Sequence, residues 1–143
     1  MIKQLLICLL LTGPLAGAAQ SAGGADSLWV VKNYLMSIQQ TINNTKFTEK
    51  QRIVQLDSLT RLSTGYKQLF AAELKKVVPD DRERENMNRS LNYILQSMVL
   101  YKSDIKKNNY KRSKSSNTEL SYLNTNIPLL LSLIQKTLLP AAK

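Results

Sequence analysis

The chain has 143 residues, 43% of them hydrophobic and 21% charged, and its 20 Lys and Arg outnumber its 10 Asp and Glu. Five Gly and four Pro exclude collagen-like or linker character, and the apolar fraction excludes a wholly disordered chain. With no His and one Cys, the common zinc sites and the Ser-His-Asp and Cys-His catalytic sets are excluded. The composition therefore predicts a folded basic protein that is not an enzyme and needs no cofactor or metal ion.

The first 19 residues have the order of a secretory signal peptide. Lys3 gives a basic start, an apolar run extends from Leu5 to Thr12, and small residues end the segment at Ala18 and Ala19. A membrane-spanning helix needs ~20 apolar residues, and Gly13-Pro14 breaks this run after about half that length. We therefore predict cleavage after Ala18 or Ala19 and localisation in the periplasm or outside the cell.

This predicted processing defines the remaining domain organisation. A flexible leader spans residues 20–25, one helical domain spans residues 26–139, and a C-terminal tail spans residues 140–143. The only cysteine, Cys8, lies in the segment to be removed. We therefore expect packing alone, without disulfides, to hold the exported domain together.

Apolar residues at spacings of three and four predict two helices in the first half of the domain. The first begins at the N-cap Asp26 and ends at Asn43-Asn44. The second begins with a capping box at Thr48 and Gln51 and ends before Pro79. Gly65, in its middle, indicates a close helix contact or a bend. The apolar positions are Leu28, Val31, Leu35, Ile38 and Ile42, then Ile53, Leu56, Leu59, Leu62, Tyr66, Leu69, Phe70, Leu74 and Val77.

Two further helices follow. The third has Asp80 as its N-cap, and a loop is predicted between Lys106 and Ser115 because helical periodicity stops there. The fourth begins at Ser116 with Glu119, and it should kink at Pro128 or restart there. The apolar positions are Met87, Leu91, Ile94, Met98, Tyr101 and Ile105, then Leu120, Leu123, Ile127, Leu130, Ile134 and Leu138.

Four amphipathic helices with short connections predict an all-α fold, most simply a four-helix up-down-up-down bundle. In that arrangement Leu91, Ile94 and Met98 face the core. They pack there with residues of the second and fourth helices, namely Leu59, Leu62 and Leu130. An oligomeric coiled coil is the alternative, since the third helix has a clean heptad pattern.

The acidic residues do not form an evident catalytic pair. Asp80, Asp81, Glu83 and Glu85 are the only dense acidic group, and they fall in the first turns of the third helix, where the helix dipole favours negative charge. Capping explains them without acid-base chemistry. A hydrolase that uses only carboxylates would need two of them to face one pocket.

The basic segment, Lys102 to Lys114, is the candidate site for partner binding. It contains six cations and a single acid, Asp104. Such a segment can contact an acidic protein or an anionic membrane surface, or it can be a solvated loop. Trp29, beside the first apolar stripe, either covers the end of the bundle or anchors a partner. The candidate residues are Lys102, Lys106, Lys107, Lys111, Arg112, Lys114 and Trp29.

Several short sequences carry a resemblance to known proteins. The export signal ending at Ala19-Gln20, Trp29-Val30-Val31, and the Gln- and Asn-rich segment from Ile38 to Asn44 resemble small periplasmic helical proteins of conjugative elements and type IV secretion systems. Thr48-Glu49-Lys50-Gln51 is similar to the Thr-x-x-Gln motif of small periplasmic helical chaperones. The resemblance implies an envelope protein and supplies no catalytic residues.

These observations predict an exported, non-enzymatic protein that acts by surface contact, as a small periplasmic subunit or accessory of secretion or conjugation machinery. The alternative is a cationic periplasmic chaperone or a membrane-surface binding protein. A protein partner, acidic in character, is expected, and an anionic membrane surface is the other candidate. Nucleic acid and small molecules are not expected as partners, because export separates the protein from nucleic acid and no phosphate-binding loop is present.

Overall fold

A computed structural model describes residues 24–139, which contain four helices and no strand. The helices are α1 (Gly24–Asn43), α2 (Glu49–Val77), α3 (Asp81–Lys107) and α4 (Lys114–Leu138). The all-α prediction is confirmed for this part of the chain. The predicted signal peptide, most of the predicted leader and the C-terminal tail lie outside the described residues.

Three predicted helix ends are confirmed. Thr48 and Gln51 form a reciprocal capping box, in which the Thr48 hydroxyl accepts from the Gln51 backbone N–H and the Gln51 side chain accepts from the Thr48 N–H. The Asp80 carboxylate accepts from the Glu83 N–H at 2.7 Å. Helix α1 ends at Asn43, as predicted. Local capping chemistry therefore fixes the starts of α2 and α3, because it satisfies backbone donors that the first helical turn leaves free.

Two other predicted starts are wrong. Helix α1 begins at Gly24, so Asp26 lies within the first turn and is not the N-cap. Helix α4 begins after the N-cap Ser113, which lies three residues before the predicted N-cap, Ser116. Ser116 is instead the partner of Ser113 in the capping box. Glu119 instead accepts a hydrogen bond from the Ser97 hydroxyl of α3 at 2.5 Å. Because Ser113 and Ser116 satisfy each other, the helix extends further toward its N-terminus than its apolar pattern indicates.

The loop before α4 is consequently shorter than predicted. Helix α3 continues to Lys107 and α4 begins at Lys114, so the loop predicted over Lys106–Ser115 is only six residues long, Asn108–Ser113. Asn109 and Tyr110 have φ values of 51° and 59°. Two successive left-handed residues reverse the chain tightly, and Asn tolerates this conformation better than most residues.

Helix α4 passes through Pro128 as one continuous element, so the predicted restart at that residue is wrong. Proline cannot donate to the carbonyl four residues earlier, here that of Asn124. The apolar positions on both sides of it, Leu123, Ile127, Leu130 and Ile134, are all buried. Their burial holds the two halves of the helix against the same core.

The core is formed by the predicted stripes. Every predicted apolar position of α1 and α3 is buried, and all lie within one hydrophobic cluster. Helix α2 departs from prediction at Leu62 and at Val77, which are 41% and 36% exposed. Leu62 lies about 60° around the helix axis from Leu59, on the side away from Leu56, and so falls at the edge of the buried face. Of the two alternatives at Gly65, a close helix contact or a bend, the close contact is wrong, because nothing lies within 4 Å of a Cβ placed there.

Each helix packs against two others: α1 against α2 and α4, and α3 against α2 and α4. The Tyr34 ring of α1 stacks on Tyr66 of α2 with centroids 4.0 Å apart, and its hydroxyl donates to the Leu59 carbonyl. Near the C-terminal end of α1, the Thr41 carbonyl accepts a hydrogen bond from Arg52 of α2 at 3.2 Å. Between α1 and α4, Lys32 donates to Gln135 and Asn43 donates to Asn124.

The core assignment predicts different effects for two leucines. Leu91 is 1% exposed, so Leu91→Ala should lower the free energy of unfolding by about 2 to 5 kcal/mol. Leu62→Ala is the matched control and should cost less than about 1 kcal/mol, because Leu62 keeps much of its surface in water. Urea denaturation followed by circular dichroism measures both. Equal losses in the two variants would contradict the packing of α2 described above.

Candidate functional site

Two loops lie at the same end of the helices, and the contacts between them define the candidate site. Arg112, in the loop between α3 and α4, donates through Nε to the Glu49 carboxylate at 2.8 Å. Glu49 is the first residue of α2, directly after the loop from α1. Lys50 Nζ lies 5.9 Å from the centre of the Tyr110 ring. We call residues 44–57 and 102–114 the basic end.

The basic end carries most of the net charge of the described residues. It holds nine Lys and Arg against three acids, Glu49, Asp57 and Asp104, an excess of six positive charges. The rest of residues 24–139 holds nine basic and seven acidic residues, an excess of two. The charge of this protein is therefore concentrated where the two loops meet. The basic residues of this end are Lys46, Lys50, Arg52, Lys102, Lys106, Lys107, Lys111, Arg112 and Lys114.

Glu49 connects α2, α3 and the loop between α3 and α4. Its carboxylate accepts from Arg52 of the same helix at 2.5 Å, from the Tyr101 hydroxyl of α3 at 2.6 Å, and from Arg112. Arg52 is buried and also donates to the carbonyls of Thr41 and Asn44. Burial by itself raises the pKa of Glu49, but the Tyr101 and Arg52 hydrogen bonds and the two arginine charges outweigh it and lower the pKa.

Asp57 joins α2 to α3 by two lysines. Lys102 Nζ lies 2.7 Å from the Asp57 carboxylate and also donates to the Thr60 hydroxyl at 2.8 Å. Lys106 Nζ lies 3.0 Å from the same carboxylate. Partial burial raises the pKa of Asp57. The hydrogen bonds that both lysines donate, together with their positive charges, outweigh this effect, so the pKa lies below its usual value. Charge pairs that share one acid hold α2 and α3 together at this end.

Asp104 secures the start of α4. Its carboxylate accepts from the Ser113 hydroxyl at 2.5 Å and from the Ser116 backbone N–H at 3.2 Å. These hydrogen bonds, led by that of Ser113, hold the pKa of Asp104 below its usual value. The C-terminal end of the six-residue loop is thus held by two neighbouring residues, Arg112 on Glu49 and Ser113 on Asp104.

The structure divides the six predicted cations of the basic segment into two groups. Lys102 is only 8% exposed, and Lys102, Lys106 and Arg112 all form ion pairs within the protein. These three residues bind α2 to α3 and to the following loop. The other three, Lys107, Lys111 and Lys114, are exposed and form no ion pair within residues 24–139.

Sequence reasoning missed two members of the site. Lys46 lies in the loop before α2 and Lys50 in its first turn, and both are exposed and without an ion pair in the described structure. They lie at the same end of the helices as Lys107, Lys111 and Lys114, because the two loops lie there together. The predicted up-down order of helices already implied this meeting, since alternate connections of such a bundle lie at the same end.

Trp29 is not part of the basic end. It lies on α1, 14 residues before Asn43, which is about 21 Å along the helix at 1.5 Å per residue. The ring is 43% exposed, and Lys32 Nζ lies 4.0 Å from its centre while donating to Gln135 of α4. The indole therefore packs under a lysine near the opposite end, with part of its surface free.

The acidic cluster of α3 shows no common pocket. Asp80 caps the helix, Asp81 pairs with Arg84, and Glu85 pairs with Arg89. All three of these carboxylate residues are exposed. Paired carboxylates in acid-base chemistry face a shared substrate, and here each one faces water or its own helix.

The described residues hold no group of three or more His, Cys, Asp or Glu that could bind a metal ion. None of the helices in residues 24–139 has the length and hydropathy needed to cross a bilayer. Comparison with protein families, curated proteins and solved structures finds no match to this chain.

Two lysines of the predicted site should behave differently in stability measurements. Lys102→Met removes a buried cation from Asp57 and Thr60, and we expect it to lower the free energy of unfolding by about 1 to 3 kcal/mol. Lys111→Gln changes an exposed side chain and should stay within about 0.5 kcal/mol of the unchanged protein. Thermal denaturation measures both. A destabilising Lys111→Gln together with a neutral Lys102→Met would contradict this division.

Stability should also depend on pH through Glu49. Because the pKa of Glu49 is lower in the folded protein than in the unfolded chain, its ionised form stabilises the fold above pH ~4.3, the ordinary pKa of Glu. This contribution is lost as pH falls through the lower, folded pKa. Glu49→Gln should therefore lose stability at pH 7 and depend less on pH between about 5 and 2.

Glu85→Gln is the control for this prediction. Glu85 pairs only with Arg89 on its own helix, at an exposed position, so its replacement should leave the acid-unfolding profile close to that of the unchanged protein. The measurement is the urea midpoint as a function of pH. If Glu49→Gln and Glu85→Gln give the same profile, Glu49 does not hold the basic end together.

Proposed function

We propose that this chain is an exported, non-enzymatic helical protein that acts by surface contact, as a small periplasmic subunit or accessory of envelope machinery of the secretion or conjugation type. The observation that carries this proposal is the concentration of positive charge at the basic end, where five lysines are exposed and without ion pairs in the described structure. The signal-like pattern of residues 1–19 supports export.

The proposed architecture is an up-down-up-down four-helix bundle. The pairing of each helix with two others supports it, as do contacts that join the end of one helix to the start of the next. Thr41, near the end of α1, accepts a hydrogen bond from Arg52, near the start of α2. Tyr34 lies earlier in α1 and donates to Leu59, which lies later in α2. This order supports opposite directions for α1 and α2, as an up-down bundle requires.

The basic end would work by electrostatic attraction of an anionic surface, that of an acidic protein or of a membrane. Charges that are held together on a rigid scaffold produce a field that increases association rates, and this effect decreases as salt screens it. Glu49, Asp57 and Asp104 hold the loops in place, so the partner would meet a preformed surface. Less conformational entropy is lost when the binding surface is ordered beforehand.

A cationic chaperone or membrane-surface binding protein is the second candidate. Large apolar side chains remain half exposed on α3 and α4, among them Tyr93, Leu100 and Leu129. A chaperone could hold unfolded clients on such side chains. It would retain many clients weakly, whereas a subunit would bind particular partners in a fixed ratio.

Purification from the native envelope tests the proposal. The exported form, tagged at its C-terminus and cross-linked before extraction, should co-purify with a small set of envelope components in a constant ratio. Replacing Lys107, Lys111 and Lys114 with Gln should reduce recovery, and so should raising the salt concentration. Lys67→Gln/Lys75→Gln/Lys136→Gln is a control that removes the same charge elsewhere. Recovery that neither the basic-end variant nor salt reduces would contradict the proposal, as would a cytoplasmic location.

A further inference from the structure

We propose that the basic end docks end-on to the anionic phospholipid surface of an envelope membrane, with the helices pointing away from it. This inference rests on the proposed function in one respect, that the protein acts through its basic end. It adds the chemistry of the surface that is bound and the orientation of the protein upon it.

The kinds of cation left free at this end favour a lipid surface over a protein. Both arginines of the basic end, Arg52 and Arg112, are bound to Glu49, and every exposed cation without an ion pair there is a lysine. Protein interfaces are enriched in Arg and depleted in Lys. Lysine is a mobile point charge, and clusters of four to eight basic residues bind anionic lipid head groups without a fixed geometry.

The placement of the five lysines also suits a flat surface. They come from both loops and from the ends of three helices, so they are spread across one end of the protein and do not line a single groove. Among them, the Tyr110 ring is 40% exposed, and tyrosine is favoured at the interface between lipid and water. The five are Lys46 in the loop before α2, Lys50 in the first turn of α2, Lys107 at the end of α3, Lys111 in the loop before α4, and Lys114 at the start of α4.

The distribution of acids sets the orientation. Asp80, Asp81, Glu83 and Glu85 are all exposed at the start of α3, at the other end of that helix from Lys107. Asp81 and Glu85 are paired there with Arg84 and Arg89, so this end of α3 carries little net charge. An anionic surface therefore attracts the basic end more strongly than the opposite end, which favours the upright orientation.

Vesicle sedimentation with the purified exported form tests the docking. The protein should bind vesicles of phosphatidylcholine containing phosphatidylglycerol, should not bind phosphatidylcholine alone, and should dissociate at high salt. A lysine near an anionic surface contributes about fivefold to partitioning, equivalent to about 1 kcal/mol. Lys46→Gln/Lys50→Gln and Lys111→Gln/Lys114→Gln should therefore each weaken binding about 25-fold.

Two control variants complete this experiment. Lys75→Gln/Lys136→Gln removes the same charge from the ends of α2 and α4 and should leave vesicle binding within about twofold of the unchanged protein. Lys46→Arg/Lys50→Arg keeps the charge and should bind as well as the unchanged protein. If Lys75→Gln/Lys136→Gln weakens binding as much as the basic-end variants, the protein responds to net charge alone and the proposed surface is wrong.

The single tryptophan reports the orientation. With vesicles that carry a spin-labelled, fluorescence-quenching head group, Trp29 should keep its emission on binding, because it lies about 21 Å along α1 from the loop end. A Trp29→Phe/Tyr110→Trp variant should be quenched. Quenching of Trp29 in the unchanged protein would overturn the end-on orientation.

The outcomes separate this inference from the proposed function. If anionic vesicles are not bound but envelope partners still co-purify in a salt-sensitive manner, the partner is an acidic protein and the lipid inference is wrong. If nothing is bound through the basic end in either experiment, the proposed function is wrong as well. Competition with inorganic phosphate distinguishes a lipid surface from a site for free phosphate, since only the latter is displaced at equal ionic strength.

Discussion

Four helices each have one apolar face, and none of these faces can be buried without the others. Leu35 of α1, Phe70 of α2, Ile94 of α3 and Ile127 of α4 are all inaccessible to solvent, although each lies on a different helix. Residues 24–139 contain no cysteine, so no disulfide replaces this mutual burial. The helices must therefore form together, and their connections must be short enough to bring successive apolar faces into contact.

Burial of apolar faces does not by itself determine how the loops lie, and Glu49 supplies that constraint. One carboxylate at the start of α2 accepts from Arg52, Tyr101 and Arg112, which belong to three different segments. Replacing a carboxylate that serves several donors leaves each of them without its partner, which costs more than loss of a single exposed ion pair. The core therefore sets the order of the helices, and this polar group sets the form of the end at which the lysines are displayed.

The helices and nearly all of their buried faces could be predicted from sequence because periodicity and capping are local signals. The start of α4 could not, since Ser116 and Glu119 match the capping-box pattern and Ser113 and Ser116 do not, and the outcome depends on Ser97 and Asp104 of α3. The pairing of Lys102 with Asp57 joins residues 45 positions apart and leaves no local trace. For this reason the sequence alone indicates that all six cations of the basic segment are exposed. Three of them in fact form ion pairs within the protein.

The five exposed lysines of the basic end repel one another, and the ion pairs of this end do not offset that repulsion. Glu49, Asp57 and Asp104 are already engaged by nearby donors, so no acid of the basic end is left to pair with Lys46, Lys50, Lys107, Lys111 or Lys114. Like charges gathered in this way repel one another and oppose the compact state, especially at low ionic strength. An anionic surface that binds only the folded arrangement relieves this repulsion, and by linkage it stabilises the fold as it binds. The fold can carry unpaired charge in one place because most of its stability comes from the apolar core.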